Sequence, residues 1–114
     1  MNYVDFTAGN KEYKLRLSTR NTVALERQLG CNPLMIFGAG DKIPTITNMV
    51  QILHASLQQY QHSITLDNAY DIFDEYLEDG HIPTDFITVI IDIYKASGIM
   101  KDNSKAIEGE EEKN

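Results

Sequence analysis

The stretch Tyr13–Phe37, YKLRLSTRNTVALERQLGCNPLMIF, decides the fold class. Tyr13, Leu15 and Leu17 alternate with Lys14 and Arg16, the period-two pattern of a strand with one apolar face. Ser18 or Thr19 then offers a side-chain oxygen to cap a helix. Val23, Leu25, Glu26 and Leu29 follow, and Gly30 stands where a left-handed residue closes the last turn. Asn32-Pro33 restarts the chain as a cap and a first helical residue. Leu34, Met35, Ile36 and Phe37 complete a short, very apolar turn.

Upstream, Tyr3 to Thr7 also alternates, and Ala8-Gly9-Asn10-Lys11 is a turn signal. Two alternating runs joined by Gly-Asn predict a β-hairpin. An isolated hairpin is marginal in water, so helices must cover its apolar face. Lys14 and Arg16 then point to solvent or to a partner.

Downstream the pattern becomes helical. Gly38 to Lys42 reads as a flexible loop. Thr45 caps a helix whose apolar positions are Ile46, Met49, Val50, Leu53, Leu57 and Tyr60, with Gln51, Gln58, Gln59 and Gln61 marking its wet side. Ser63 or Thr65 starts another helix with Leu66, Ala69, Tyr70, Phe73, Tyr76 and Leu77 as its stripe, ended by Gly80. Thr84 is the expected cap of the last helix, Asp85 to Ser97, and Gly98 its stop. This segment is apolar over most of its circumference, which fits either a central core helix or a subunit interface. Its β-branched run also fits a strand. Ile43-Pro44-Thr45 echoes Ile82-Pro83-Thr84, as two helices sharing one cap chemistry would.

These elements predict an α+β, mainly α fold: an N-terminal β-hairpin followed by four to five helices in a small bundle. Residues 1–99 form one hairpin-plus-helical domain, and residues 100–114 an acidic tail expected to be disordered.

Composition narrows the function. The 114 residues carry a net charge of −7, and no Lys/Arg run exists, which argues against nucleic acid. No stretch has the length of a membrane span, and Met1 leads into no basic-then-apolar leader. A single cysteine, Cys31, excludes an internal disulfide and fits a reducing cytoplasm. His54, His62 and His81 lack ligand spacing and read as exposed polar positions, and Cys31 as small filler. No nucleophile–base pattern or nucleotide loop is present, so the expectation is no enzyme, no cofactor and no metal.

The unusual electrostatic feature is Asp67, Asp71, Asp74, Glu75, Glu78 and Asp79 on one helix without a Lys or Arg. Like charges four apart each cost a few tenths of a kcal/mol, roughly 0.2–0.5. A solvated acidic face explains this, and so does a docking face for a basic partner through Asp71, Asp74, Glu75 and Glu78. That second account makes the protein a small acidic adaptor or inhibitor.

Glu12-Tyr13-Lys14-Leu15-Arg16-Leu17, then Leu25-Glu26-Arg27-Gln28-Leu29-Gly30, then Asn32-Pro33-Leu34 resembles the tail assembly chaperones of long-tailed (siphovirus-like) phages and prophages of Gram-positive bacteria. The matching motifs cover about a third of the chain and are structural, not catalytic. The resemblance implies a non-enzymatic role in the host cytoplasm: binding the tape-measure protein, and in some cases the major tail protein, while the tail tube assembles. It implies absence from the mature virion, a tendency to form homo-oligomers, and a longer product made by ribosomal frameshifting. Glu112-Lys113-Asn114 is compatible with the last point, because GAA-AAA-AAY codons would create a slippery A-AAA-AAY. Contact with a client is expected through Lys14, Arg16, Leu34, Met35 and Phe37, alongside the acidic residues named above.

Overall fold

The computed structural model describes residues 3–38 and 43–101. Strands β1 (Val4–Ala8) and β2 (Lys11–Leu15) pair antiparallel, with Phe6 opposite Tyr13 and Val4 opposite Leu15. Gly9 and Asn10 both take positive φ, 58° and 66°, as a two-residue type I′ turn requires. Phe6, Ala8, Leu15 and Leu17 are buried on one face, while Asp5, Thr7, Glu12 and Lys14 are exposed on the other.

Four α-helices and one 3-10 helix follow: α1 (Thr19–Leu29), the 3-10 turn Pro33–Phe37, α2 (Ile46–Leu57), α3 (Leu66–Glu78) and α4 (Asp85–Ala96). The boundary chemistry is largely as the sequence reads. Ser18 accepts from the Asn21 N–H, and Gly30 closes α1 at φ 74°. Asn32 accepts from the Leu34 N–H with Pro33 at the first position. Thr45 caps α2, and Thr65 with Asn68 forms a reciprocal capping box on α3. Thr84 departs from expectation: it makes no side-chain cap bond, and the Asp85 carboxylate accepts from the Ile82 N–H instead. The Ile-Pro-Thr echo is therefore not an echo of cap geometry. The segment from Asp85 is a helix, not a strand, and its side chains Phe86, Ile90, Ile93 and Tyr94 are buried.

The central helix is α2. Met49, Val50, Ile52, Leu53, Ala55, Ser56 and Leu57 are all buried, and α2 packs against α1, α3, α4 and β2. The expected narrow stripe is wrong in both directions. Ile46 and Tyr60 are exposed, whereas Ile52, Ala55 and Ser56 point inward. Full burial of five side chains the size of Met, Val, Ile or Leu contributes about 1.5–3 kcal/mol each. That sum is comparable to the whole net stability of a domain, about 5–15 kcal/mol.

A second focus is aromatic. Phe6 of β1, Phe73 and Tyr76 of α3, and Phe86 of α4 pack with ring centroids 5.1–6.0 Å apart. At the other end of α4, the Tyr94 hydroxyl donates to the Pro33 carbonyl at 3.0 Å, and Phe37 meets the Tyr94 ring edge-on. Ile99 and Met100 turn back so that both N–H groups reach the Tyr94 carbonyl, and their side chains pack on the core. Of the acidic tail expected over residues 100–114, Met100 packs on the core, while residues 102–114, like residues 39–42 of the expected loop, lie outside the described residues.

Tyr94 is fully buried, and its hydroxyl is the tie between the last helix and the 3-10 turn. Tyr94→Phe leaves the Pro33 carbonyl without that donor and is expected to destabilise by about 1–3 kcal/mol. Urea unfolding monitored by circular dichroism reads this as a lower midpoint at unchanged slope.

Candidate functional site

The residues expected to make contact with a partner do not form one site. Lys14 is exposed, with its ammonium 4.9 Å from the centre of the Tyr3 ring, which itself meets Tyr60 edge-on at 5.6 Å. Arg16 is not free for a partner. It is half-buried, and its guanidinium donates to Gln59 Oε1 at 3.1 Å. Its Nε is buried without a hydrogen-bond partner among the described residues.

The outer edge of β2 is also occupied. Gln61 accepts from the Lys14 N–H at 2.8 Å and donates to the Lys14 carbonyl at 2.9 Å. One residue pair further on, the Arg16 N–H donates to the Ser56 carbonyl at 2.9 Å, and the Leu17 N–H to Ser97 Oγ at 2.8 Å. An unpaired strand edge is a template for another strand, and here side chains and helix carbonyls fill it. Of the glutamines expected on the wet side, Gln61 fills the strand edge and Gln59 meets the Arg16 side chain. Gln58, Gln59 and Gln61 are half-buried, and Gln58 donates to the carbonyls of His54 and Ile64. Polarity alone does not distinguish a solvated amide from one used as a backbone surrogate.

The acidic helix divides in the same way. Glu75 is half-buried against the hairpin, where a Cβ on Gly9 would collide with its carboxylate. Asp79 accepts from the Gly9 N–H at 2.9 Å. Asp79 ties down the hairpin turn through that bond and Glu75 packs against Gly9, so Glu75 is removed from the docking face. Burial first, and Glu75 second, push the Tyr13 hydroxyl above its usual pKa. Asp67, Asp71, Asp74 and Glu78 remain exposed around Tyr70 and form the outer face of α3.

Leu34 and Met35 project outward at 39% and 65% exposure, while Phe37 is half-buried on Tyr94. Among the described residues the exposed large apolar side chains are Val23, Leu34, Met35, Ile43, Ile46, Tyr60, Tyr70 and Ile82. Half of them therefore fall in the stretch from Leu34 to Ile46, on the 3-10 turn and at the start of α2. Sequence reasoning singled out Leu34 and Met35 but placed Ile46 in the core. The face of α1 opposite Leu25 is a further surface it did not find. Thr19, Arg20, Val23, Ala24 and Arg27 line a shallow depression there.

Among the described residues no three His, Cys, Asp or Glu side chains gather to hold a metal ion, and no helix is long and apolar enough to cross a membrane. Cys31 is exposed rather than filling a gap. His81 stacks on Tyr76 at 4.1 Å and lies 3.6 Å from the Asp85 carboxylate. His54 is half-buried on α2, not solvent-exposed as its polarity predicts. Burial lowers its pKa, partly offset by a backbone contact with Ile64.

The sign of that shift gives a pH dependence. A histidine whose folded pKa is depressed binds its proton more readily when unfolded, so its contribution is complete above the unfolded value, about 6.5, and is lost as pH falls below it. The wild type should therefore lose more stability than His54→Gln between about pH 7 and the depressed folded pKa. Paired urea titrations at stepped pH measure the difference, which should vanish above about pH 7.5.

No curated protein and no solved structure matches this chain. A family described as a family of unknown function (DUF6096) matches residues 4–113. With nearly the whole sequence covered, the chain belongs to the DUF6096 family.

Proposed function

We propose that this protein is a non-enzymatic holding protein of the phage tail assembly chaperone kind, acting in the host cell cytoplasm on the tape-measure protein. The carrying observation is that Leu34, Met35, Ile43 and Ile46, four large apolar side chains on the 3-10 turn and at the start of α2, are all left exposed. Exposed large apolar side chains gathered in one stretch of chain are candidates for a contact surface. A client that is long and prone to aggregate through apolar segments matches such a surface. The resemblance of the Glu12–Leu34 motifs supports the same reading. Contact with the major tail protein, assembly into homo-oligomers and a longer frameshifted form belong to the same proposal.

A second reading keeps some support. The exposed Asp67, Asp71, Asp74 and Glu78 face of α3 suits a basic partner, as an acidic adaptor or inhibitor would require. The two readings place binding on different surfaces. The acidic face predicts attachment that weakens steeply with salt, whereas the apolar cluster predicts attachment that persists.

Co-expression with a phage tape-measure protein tests the proposal. The client should remain in the supernatant and co-purify. Leu34→Ser with Met35→Ser should reduce the recovered complex about tenfold or more, since each buried side chain of this size contributes about 1.5–3 kcal/mol. The same double variant should change the stability of the free protein by no more than about 0.5 kcal/mol per site. Recovery unchanged by L34S/M35S but abolished by Asp71→Lys with Asp74→Lys transfers the function to the acidic face. A client that precipitates with or without this protein overturns the proposal.

A further inference from the structure

Two exposed helical faces of this molecule match in spacing and are opposite in charge. On α1, Arg20, Val23, Ala24 and Arg27 stand at positions i, i+3, i+4 and i+7, all exposed, and with Thr19 they line a shallow depression. On α3, Asp67, Tyr70, Asp71 and Asp74 stand at the same four positions and are likewise exposed, and Glu78 continues the line. That spacing gathers each set into one stripe and puts its outer pair about 10.5 Å apart along the helix axis. Each stripe lies opposite the buried side of its helix, Leu25 on α1 and Ala69, Ile72, Phe73 and Tyr76 on α3.

The α1 stripe reads cation, small apolar surface, cation. The α3 stripe reads anion, tyrosine beside a second anion, anion. Neither arginine is paired with a carboxylate among the described residues. No Lys or Arg lies on α3, whereas Glu26 stands to one side of the α1 stripe. Val23 is 41% exposed and Tyr70 46%, so both stripes have an uncovered centre. The two stripes of one molecule cannot meet, because α1 and α3 both pack on α2 with these faces outward. Between copies, α3 on α3 sets carboxylates against carboxylates, and α1 on α1 sets guanidinium against guanidinium. Only α1 on α3 sets opposite charges together.

We propose that α1 of one copy docks on α3 of a second copy, with the Tyr70 ring over Val23 and Ala24, and Arg20 and Arg27 against Asp67 and Asp74. The equal two-turn spacing lets both ends of the contact close at once. Arginine suits the position, because its planar guanidinium pairs with a carboxylate and also stacks on an aromatic ring. Exposed ion pairs are individually weak, so the tyrosine between them is part of the contact. The net charge of −7 opposes the approach of two copies. At about 0.1 M salt, however, charges more than about 10 Å apart are largely screened, while those in contact are not. Since the two faces differ, the contact is head-to-tail, and a dimer still presents one free stripe of each sign. Association then continues beyond the dimer or closes into a ring. The inference takes up the acidic face of the second reading and supplies its basic partner. It does not rest on the client proposed above.

Sedimentation equilibrium of the full chain alone tests this, at concentrations up to about 1 mM, where weak contacts become populated. The average mass should rise with concentration at about 0.1 M salt, and the association constant should fall about tenfold or more at about 1 M, where screening reaches contact distances. Arg20→Glu with Arg27→Glu should be monomeric. So should Asp71→Lys with Asp74→Lys, which leaves the first turn of α3 intact. Mixed in equal amounts, the two variants should associate again. The reversed α1 of the first then meets the reversed α3 of the second, and the native α3 of the first meets the native α1 of the second. Restoration also shows that both variants are folded. A wild type that stays monomeric throughout, association unchanged in R20E/R27E or in D71K/D74K, or a mixture that stays monomeric overturns the proposal. Association that survives both variants and is lost in L34S/M35S also overturns it, and places the contact on the 3-10 turn. None of these outcomes decides the co-expression test, which reads a different partner.

Discussion

Everything in this fold is arranged to enclose α2. Seven of its twelve residues are buried, and they cover more than half of the helix circumference. No single neighbour can cover such a surface. The hairpin takes one side through the Arg16 N–H on the Ser56 carbonyl, and α1, α3 and α4 take the others. Ser56 is what lets β2 approach. Its side chain is small, its hydroxyl is satisfied by the Leu53 carbonyl, and its own carbonyl is left to meet the strand. The hairpin is then stable because it is held at its edge and its turn, by Gln61 and Ser56 on β2 and by Asp79 at Gly9.

That enclosure explains which surfaces are free for contact. Residues that hold the hairpin in place, Arg16, Gln59, Gln61, Glu75 and Asp79, are consumed by the fold even though all are polar or charged. What remains outside is of three kinds: apolar on the 3-10 turn and at the start of α2, acidic on α3, and basic with a small apolar centre on α1. Each is carried on a helix or turn anchored to the core, so each is presented in a fixed orientation.

Much of the local structure was legible in the sequence, because boundary signals act within a few residues. Ser18, Gly30, Asn32-Pro33, Thr45 and Thr65 all behave as their chemistry dictates. The Gly9-Asn10 turn and the hairpin register follow from the same short-range rules. What was not legible depends on contacts far apart in the chain. A helix buried over more than half of its circumference cannot be recognised from its own composition when His54, Ser56 and several glutamines interrupt it, so the more apolar α4 looked central. Glu75 and Asp79 belong to a continuous acidic run, and only the approach of a turn some seventy residues away separates them from it. The α1 face gave no signal because Arg20, Val23, Ala24 and Arg27 are unremarkable one at a time. At Thr84 the cap failed because the adjacent Asp85 offers a charged acceptor to the same turn.

Native-state hydrogen exchange at residue resolution tests the central role of α2 most directly. The account predicts that the amides of Ile52, Leu53, Ala55, Ser56 and Leu57 exchange only through global unfolding, with free energies equal to that from urea denaturation. The amides of the 3-10 turn Pro33–Phe37 should exchange through smaller openings. If the α2 amides open locally, well below the global value, while α4 remains protected, then α4 and not α2 is the element the structure depends on.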